Sequence, residues 1–375
     1  VTFMRDSVKR AKRIVIKVGS SSLTYQNAKL NLRRIEKLIR EIVDLKNQDK
    51  EVILVSSGAV AAGQGELDLA ERPQTIPEKQ ALAAIGQGIL MKTYQKLFSE
   101  YGQKVAQVLL TQKDLTDRKR YLNSRNTLNQ LLNYGVIPVI NENDTVAVEE
   151  IKFGDNDTLS ALVSSLIDAD LLIILSDIDG LYTADPRHDP TAKLLSRIDD
   201  ISHEIEALAG DAGTKRGTGG MITKIRAAKV STRSGIPLII ANGSLDNVLS
   251  QITQGAEVGT LFLSQEKLAS REKWIAFNLD VEGEIVIDSG AVKALLEKGK
   301  SLLPCGILAS QGCFSAGAVV DIVNQAGEIL ARGLVNYSQR EIEEIKGLHT
   351  SKIKERLGYQ DYDEVVHRDN LVLMI

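Results

Sequence analysis

The chain has 375 residues, of which 43% are hydrophobic and 25% charged, with a formal net charge of -3. This is the balance of an ordinary globular protein, long enough for more than one domain. It has no overall positive charge for nucleic acid or anionic membrane, and no apolar run of the roughly 18 residues that a membrane span needs.

The N-terminus, VTFMRDSVKRAKRIVIKVG, is basic, but its apolar part is short and reads as a strand, not as the core of a signal peptide. Further β-branched apolar runs follow: EVILVSSGA, KVAQVLL, GVIPVINEN, LLIILSDIDG and IPLIIANG. Their near-continuous hydrophobicity is that of strands covered on both faces. Between the first two strands, Leu32, Ile35, Leu38, Ile39, Ile42 and Leu45 recur at helical spacing, with Asn31 placed as an N-cap. Other helices are predicted around 77–101, 124–133, 159–167, 221–234 and 245–252. Such alternation predicts an α/β fold, a doubly wound and mostly parallel sheet flanked by helices. After about Ser264 the pattern changes to short strands with glycine-containing turns, predicting a small β-rich domain such as a barrel. The boundaries read as 1–268 for the first domain, 269–277 for a linker around Arg271–Trp274, and 278–375 for the second. Only two cysteines, Cys305 and Cys313, and four scattered histidines occur. That argues against a disulfide- or zinc-built fold and for a reducing, cytoplasmic setting.

In doubly wound sheets, ligands sit at the carboxyl ends of the strands. Here those ends carry Lys17 to Ser22, Ser56-Ser57-Gly58, Asn141 to Asp144, and Ser176 to Gly180. Turn chemistry explains any one of them; four together predict a site. Ahead of the helix near 159, Asp155, Asn156 and Asp157 stand in a row, where capping requires one such residue. Gly299-Lys300-Ser301 imitates the end of a phosphate-binding loop, but the first glycine of that motif is Ala294 here, and a helix precedes it. Gly299 is better read as the end of that helix. No G-x-G-x-x-G follows the first strand, which counts against a dinucleotide oxidoreductase. Thr218, Gly219 and Gly220 open a helix as a natural anion site, and Lys224 follows within it. Lys17 and Lys224 could supply the positive charge that phosphoryl transfer requires. The strand-end motifs contain no histidine. A carboxylate acceptor, ionised at neutral pH, needs no base, so the pattern leans toward an acyl phosphate product, while an Asp acting as base keeps a hydroxyl acceptor open.

The segments IVIKVGSSSL, VSSGAVAAG, VIPVINENDTV, KFGDNDTLSA, LSDIDGLYTADPR and GTGGMITKIRAA resemble, in order, the motifs of the amino acid kinase family, in its glutamate-phosphorylating branch. The C-terminal part is similar to the PUA domain that bacterial members of that branch append. The resemblance implies ATP-dependent phosphorylation of the side-chain carboxylate of L-glutamate, with Mg2+ accompanying the nucleotide, as the first step of proline synthesis. It assigns Lys17 and Lys224 to the transferring phosphoryl group and Asp157 to orienting them. Ser57, Asp144 and Asn156 match substrate-binding residues. Ser176, Asp177, Thr218, Gly219, Gly220, Met221, Ile222, Thr223 and Lys224, with Lys17, match nucleotide-binding ones. It further implies feedback inhibition by proline near 144–152 and a homo-oligomer, a dimer or tetramer. A free amino acid's ammonium wants an acid such as Asp144, and its carboxylates want donors such as Ser57 and Asn156. Acceptor alternatives are N-acetylglutamate, aspartate or carbamate. An RNA-binding role for the second domain is a rival reading, although residues 271–375 hold 12 Lys and Arg against 16 Asp and Glu, an acidic balance that disfavours phosphate-backbone binding.

Overall fold

The computed structural model describes residues 5–146, 156–211, 220–264 and 281–374. The apolar runs become β1 (Arg13–Val18), β2 (Glu51–Ser56), β3 (Val105–Leu110), β4 (Ile137–Glu142), β5 (Leu171–Ser176) and β7 (Leu238–Asn242), joined by the short β6 (Arg197–Ile198) and β8 (Thr260–Phe262). They form one sheet in the order β3-β4-β2-β1-β5-β7-β8-β6. All pairings are parallel except β7 with β8. The chain runs outward from β1 through β2 and returns to its other side at β5, so strand order reverses at the β1–β5 pair. This is the crevice where such sheets bind ligands. Lys17 lies one residue before the end of β1, in register with Val55 on one side and Ile174 on the other.

Two compact units divide the chain, Val1–Lys267 and Leu268–Ile375. The linker expected at 269–277 lies outside the described residues. In the first unit, Asn31 does cap the Leu32–Asn47 helix, its side chain accepting from the Arg34 N–H. Ile35, Leu38, Ile39, Ile42 and Leu45 face the core, whereas Leu32, 56% exposed, lies off that face. The Ile76–Glu100 helix opens on a Thr75–Glu78 capping box with proline in its first turn, a strong start signal. In the second unit, β9 (Val281–Ile287), β10 (Ile307–Gly312), β11 (Val319–Val323), β12 (Ile329–Leu334) and β13 (Leu371–Leu373) form a mixed sheet in the order β10-β9-β11-β12-β13 around a separate core. Gly299 has φ +54° beyond the Ser289–Leu296 helix, and the Lys300 N–H bonds back to the Ala294 carbonyl. The phosphate-loop mimic is thus a helix terminus.

Several helices escaped the sequence reading, His203–Asp211 and Gln339–Ile345 among them, and one lies beside the site. Ala59–Glu66 follows Gly58, whose φ of +93° favours glycine, and packs against Ile76–Glu100. Two glycines allow this crossing. A Cβ on Gly63 would stand 2.0 Å from the Leu82 carbonyl oxygen, and one on Gly86 would stand 1.8 Å from that of Ala59. Both obstacles are backbone, so no side-chain rotation relieves them. Gly86→Ala should therefore lower stability by roughly 3 kcal/mol, the upper part of the overpacking range. An unchanged urea midpoint would contradict the crossing as described.

Candidate active site

At the switch point, three charged side chains meet out of solvent. Lys17 comes from β1, Asp157 from the first turn of the Asn156–Leu166 helix, and Lys224 from the first turn of Met221–Arg233. They are 6%, 1% and 5% exposed. Asp157 Oδ1 pairs with Lys17 Nζ; Asp157 Oδ2 takes Lys224 Nζ at 3.1 Å and the Thr223 hydroxyl at 2.9 Å. The two helices pack against each other, which brings the carboxylate and the distant lysine together. Burial by itself would raise the Asp157 pKa; the Lys17 and Lys224 ammoniums, with hydrogen bonds from Lys17 and Thr223, outweigh it and hold the carboxyl below its ordinary value. A lysine in a helix's first turn opposes the helix dipole, whereas an aspartate there agrees with it. Among the described residues, two cations share this one anion. Burying such a set is costly unless something offsets it, and an incoming phosphate would.

Next to the triad lies a polar cluster at the ends of β2 and β4. Asn156 Nδ2 shares its hydrogens among the Ser57 hydroxyl (3.0 Å), Asn141 Oδ1 (2.9 Å) and the Ser56 carbonyl (3.1 Å). Its own Oδ1 is buried without a hydrogen-bond partner. Asn141 Nδ2 continues to Gln87 Oε1 at 2.9 Å. Seven residues along the same helix, the Tyr94 hydroxyl lies 2.8 Å from Ser56 Oγ. Burial pushes the Tyr94 pKa well up against the opposing Ser56 bond, so the phenol keeps its proton. Asp144 is half-buried in the turn after β4.

The remaining predicted residues spread along the same edge. Ser176 is buried and its hydroxyl donates to Asp177 Oδ1 at 3.1 Å; Asp177 is exposed. Gly220 caps the Met221–Arg233 helix in an extended conformation. Met221 is buried and Ile222 exposed, while Thr223 faces Asp157. Thr218, Gly219 and Asp155 lie outside the described residues. The structure thus brings Lys17, Asp157, Thr223 and Lys224 into one cluster, and Ser57 and Asn156 into an adjoining one. Sequence reasoning assigned no role to Gln87 or Tyr94, and it counted Asn141 among the strand-end residues that predict the site without giving it a role of its own. The available signal was an amide and a phenol seven residues apart on one helix face. It also expected Asn156 to donate to a substrate carboxylate; among the described residues its NH2 is instead committed to protein acceptors, and the oxygen is the atom left without a partner.

The amino acid kinase family profile matches residues 12–242, spanning both clusters. The chain belongs to the amino acid kinase family. It is a kinase, and its second unit carries a PUA domain, matched over residues 283–357. This amino acid kinase is 57% identical over 363 residues to the glutamate 5-kinase of Thermoanaerobacter sp. (strain X514), covering 96% of this chain and 98% of that one. It is 55% identical over 372 residues to the glutamate 5-kinase of Carboxydothermus hydrogenoformans, covering 99% and 100%. Among solved structures, carbamate kinase from Giardia lamblia bound to AMP-PNP aligns with a TM-score of 0.49 at 18% identity, over 68% of this chain and 100% of that one. That likeness is weak, and the family assignment rests on the sequence matches.

Proposed function

We propose that this kinase transfers the γ-phosphoryl group of ATP to the side-chain carboxylate of L-glutamate, giving L-glutamyl 5-phosphate and ADP. The observation that carries the reading is the adjacency of Asn156 and Asp157. One helix turn joins a buried cation pair, suited to a phosphoryl group, to an amide cluster suited to an amino acid. The similarity to enzymes named glutamate 5-kinase supports this choice of acceptor over N-acetylglutamate, aspartate or carbamate.

In this mechanism an oxygen of the substrate carboxylate attacks the γ-phosphorus, and the bond to the β,γ-bridging oxygen breaks with its electron pair leaving on ADP. Lys17 and Lys224 share the charge on the phosphoryl oxygens, where aligned positive charge does most of the catalytic work. Asp157 stays ionised, holds both ammoniums in place and takes no proton. The acceptor is itself ionised at neutral pH and needs no general base. Asp144 would pair with the substrate ammonium, Ser57 would donate to a carboxylate, and Ser176, Asp177 and the 218–224 segment would hold the nucleotide. Among the described residues no three metal-ligating side chains converge. We therefore assign no protein cage to Mg2+ and take it as arriving on the nucleotide phosphates, as this reluctantly dehydrated ion commonly does.

The finer proposal places this reaction first in proline synthesis, with proline inhibiting at or over the pocket near 144–152, in a cytoplasmic homo-oligomer whose catalytic part is 1–268 and whose appended domain is 278–375. No described helix is long and apolar enough to cross a membrane, and Cys305 and Cys313 are unpaired and exposed, as a reducing compartment allows. The test is glutamate-dependent ADP release with hydroxylamine present, which traps an acyl phosphate as its hydroxamate. Glutamate should give hydroxamate in step with ADP. Hydroxamate from N-acetylglutamate or aspartate but not glutamate would overturn the acceptor assignment.

A further inference from the structure

We propose that Gln87 is a positioning residue that steadies Asn141 behind Asn156, and so keeps the unpartnered Asn156 oxygen turned as a hydrogen-bond acceptor for the substrate's ammonium group. The proposal rests on reading this pocket as the amino-acid site.

One group beside Asn156 cannot turn round. The Ser56 backbone carbonyl can only accept, and it lies 3.1 Å from the Asn156 amide. Asn156 must therefore aim its NH2 inward. Asn141, meeting the same NH2 at 2.9 Å, must present its oxygen, which turns its own NH2 outward. Asn141 is 3% exposed, and leaving that NH2 without a partner would be costly. Gln87 supplies the acceptor at 2.9 Å. Were that acceptor lost, only the Asn156 NH2 would hold Asn141 against rotation of its amide, and the Asn141 NH2 would be left buried and unpaired. A rotated Asn141 would face the Asn156 NH2 with an NH2 of its own. The chain of three amides thus has one polarity, fixed at one end by Ser56 and held at the other by Gln87. Its outcome is an Asn156 Oδ1 that is buried and has no hydrogen-bond partner, the complement of an N–H donor.

Gln87 is well placed for this task. It follows Gly86, where its helix sits directly on the backbone of Ala59, and the same helix is tied to β2 through Tyr94 and Ser56. Ser56 Oγ also lies 3.2 Å from the Ser57 carbonyl as a donor, so the Tyr94 O–H donates to Ser56. Both ends of the relay are therefore held by one rigid element.

The test uses the full chain with two variants close to glutamine in size. Gln87→Met removes the acceptor; Gln87→Glu keeps one. Gln87→Met should raise the KM for glutamate about tenfold, the effect of losing one part-buried hydrogen bond. The KM for ATP and kcat should stay within about twofold, because the lysine triad is untouched. Gln87→Glu should bring the glutamate KM back to within about threefold of wild type on the same reasoning. An unchanged glutamate KM in Gln87→Met, equal losses in both variants, or a parallel rise in the KM for ATP would overturn the relay. Failure of the wild-type chain to use glutamate at all would count against the proposed function instead. The same comparison would then be run with whichever α-amino-acid acceptor yields hydroxamate.

Discussion

Lys224→Ala is expected to lower kcat by about 10³-fold or more while leaving the protein folded. A cation aimed at a transferring phosphoryl group acts mainly in the transition state, and removing such a group from a water-poor site costs on that order. Folding should survive because Asp157 keeps Lys17 and the Thr223 hydroxyl. Lys17→Ala should behave alike, with Asp157 then retained by Lys224 and Thr223. Because both ammoniums are expected to act on the same phosphoryl group, the double variant should lose much less than the product of the single losses. The measurement is steady-state hydroxamate formation beside a thermal melt. Turnover within tenfold of wild type in either single variant, with an unchanged melt, would remove the phosphate clamp from the mechanism.

Asp157→Asn should have the opposite balance, with a large effect on stability as well as on rate. The amide leaves two nearly buried ammoniums with no carboxylate between them, and breaking a buried ionic set by removing one partner costs roughly 3–5 kcal/mol. The pH dependence has a definite sign. The Asp157 pKa is lowered in the folded state, so its contribution is fully present above the unfolded carboxyl value near 3.9. It is lost only as pH falls through the depressed folded value. The stability gap between wild type and Asp157→Asn should therefore be flat across neutral and mildly acidic pH and close only below about pH 4. Urea melts over that range test it; a gap that closes near pH 6 would mean that another group carries the stabilisation.

Much of the sheet was legible because its main strands are near-continuous apolar runs, buried on both faces except in the edge strand β3, and such runs are hard to mistake once helices separate them. The strand-end rule then led to Lys17, Ser57 and Ser176 without any coordinate. Lys224 was legible as a cation following the glycine-rich, anion-binding start of a helix. Other features were not. Ala59–Glu66 is rich in alanine and glycine with no apolar stripe, so periodicity gave nothing to read, and its existence depends on packing against a helix further along the chain. β6 and β8 are two and three residues long, too short for any pattern. The antiparallel turn of β8 against β7 is likewise a tertiary choice. Asn141, Gln87 and Tyr94 act through hydrogen bonds between residues 15 to 54 apart, and a linear scan does not see them. The direction of the Asn156 amide depends on a backbone carbonyl one hundred residues away. A residue's type can be read from its motif; which of its two polar atoms is left for a ligand cannot.

The seam between Ala59–Glu66 and Ile76–Glu100 bears on how this pocket could be re-tailored. Where Gly63 and Gly86 meet the opposite main chain, there is no side chain to enlarge or trim, so the seating of the helix that carries Gln87 and Tyr94 offers no graded adjustment. A change of acceptor, in nature or in the laboratory, would be made in side chains, on the polar residues of that helix or at the strand tips and the turns that follow them, with the glycine seam serving as a fixed datum.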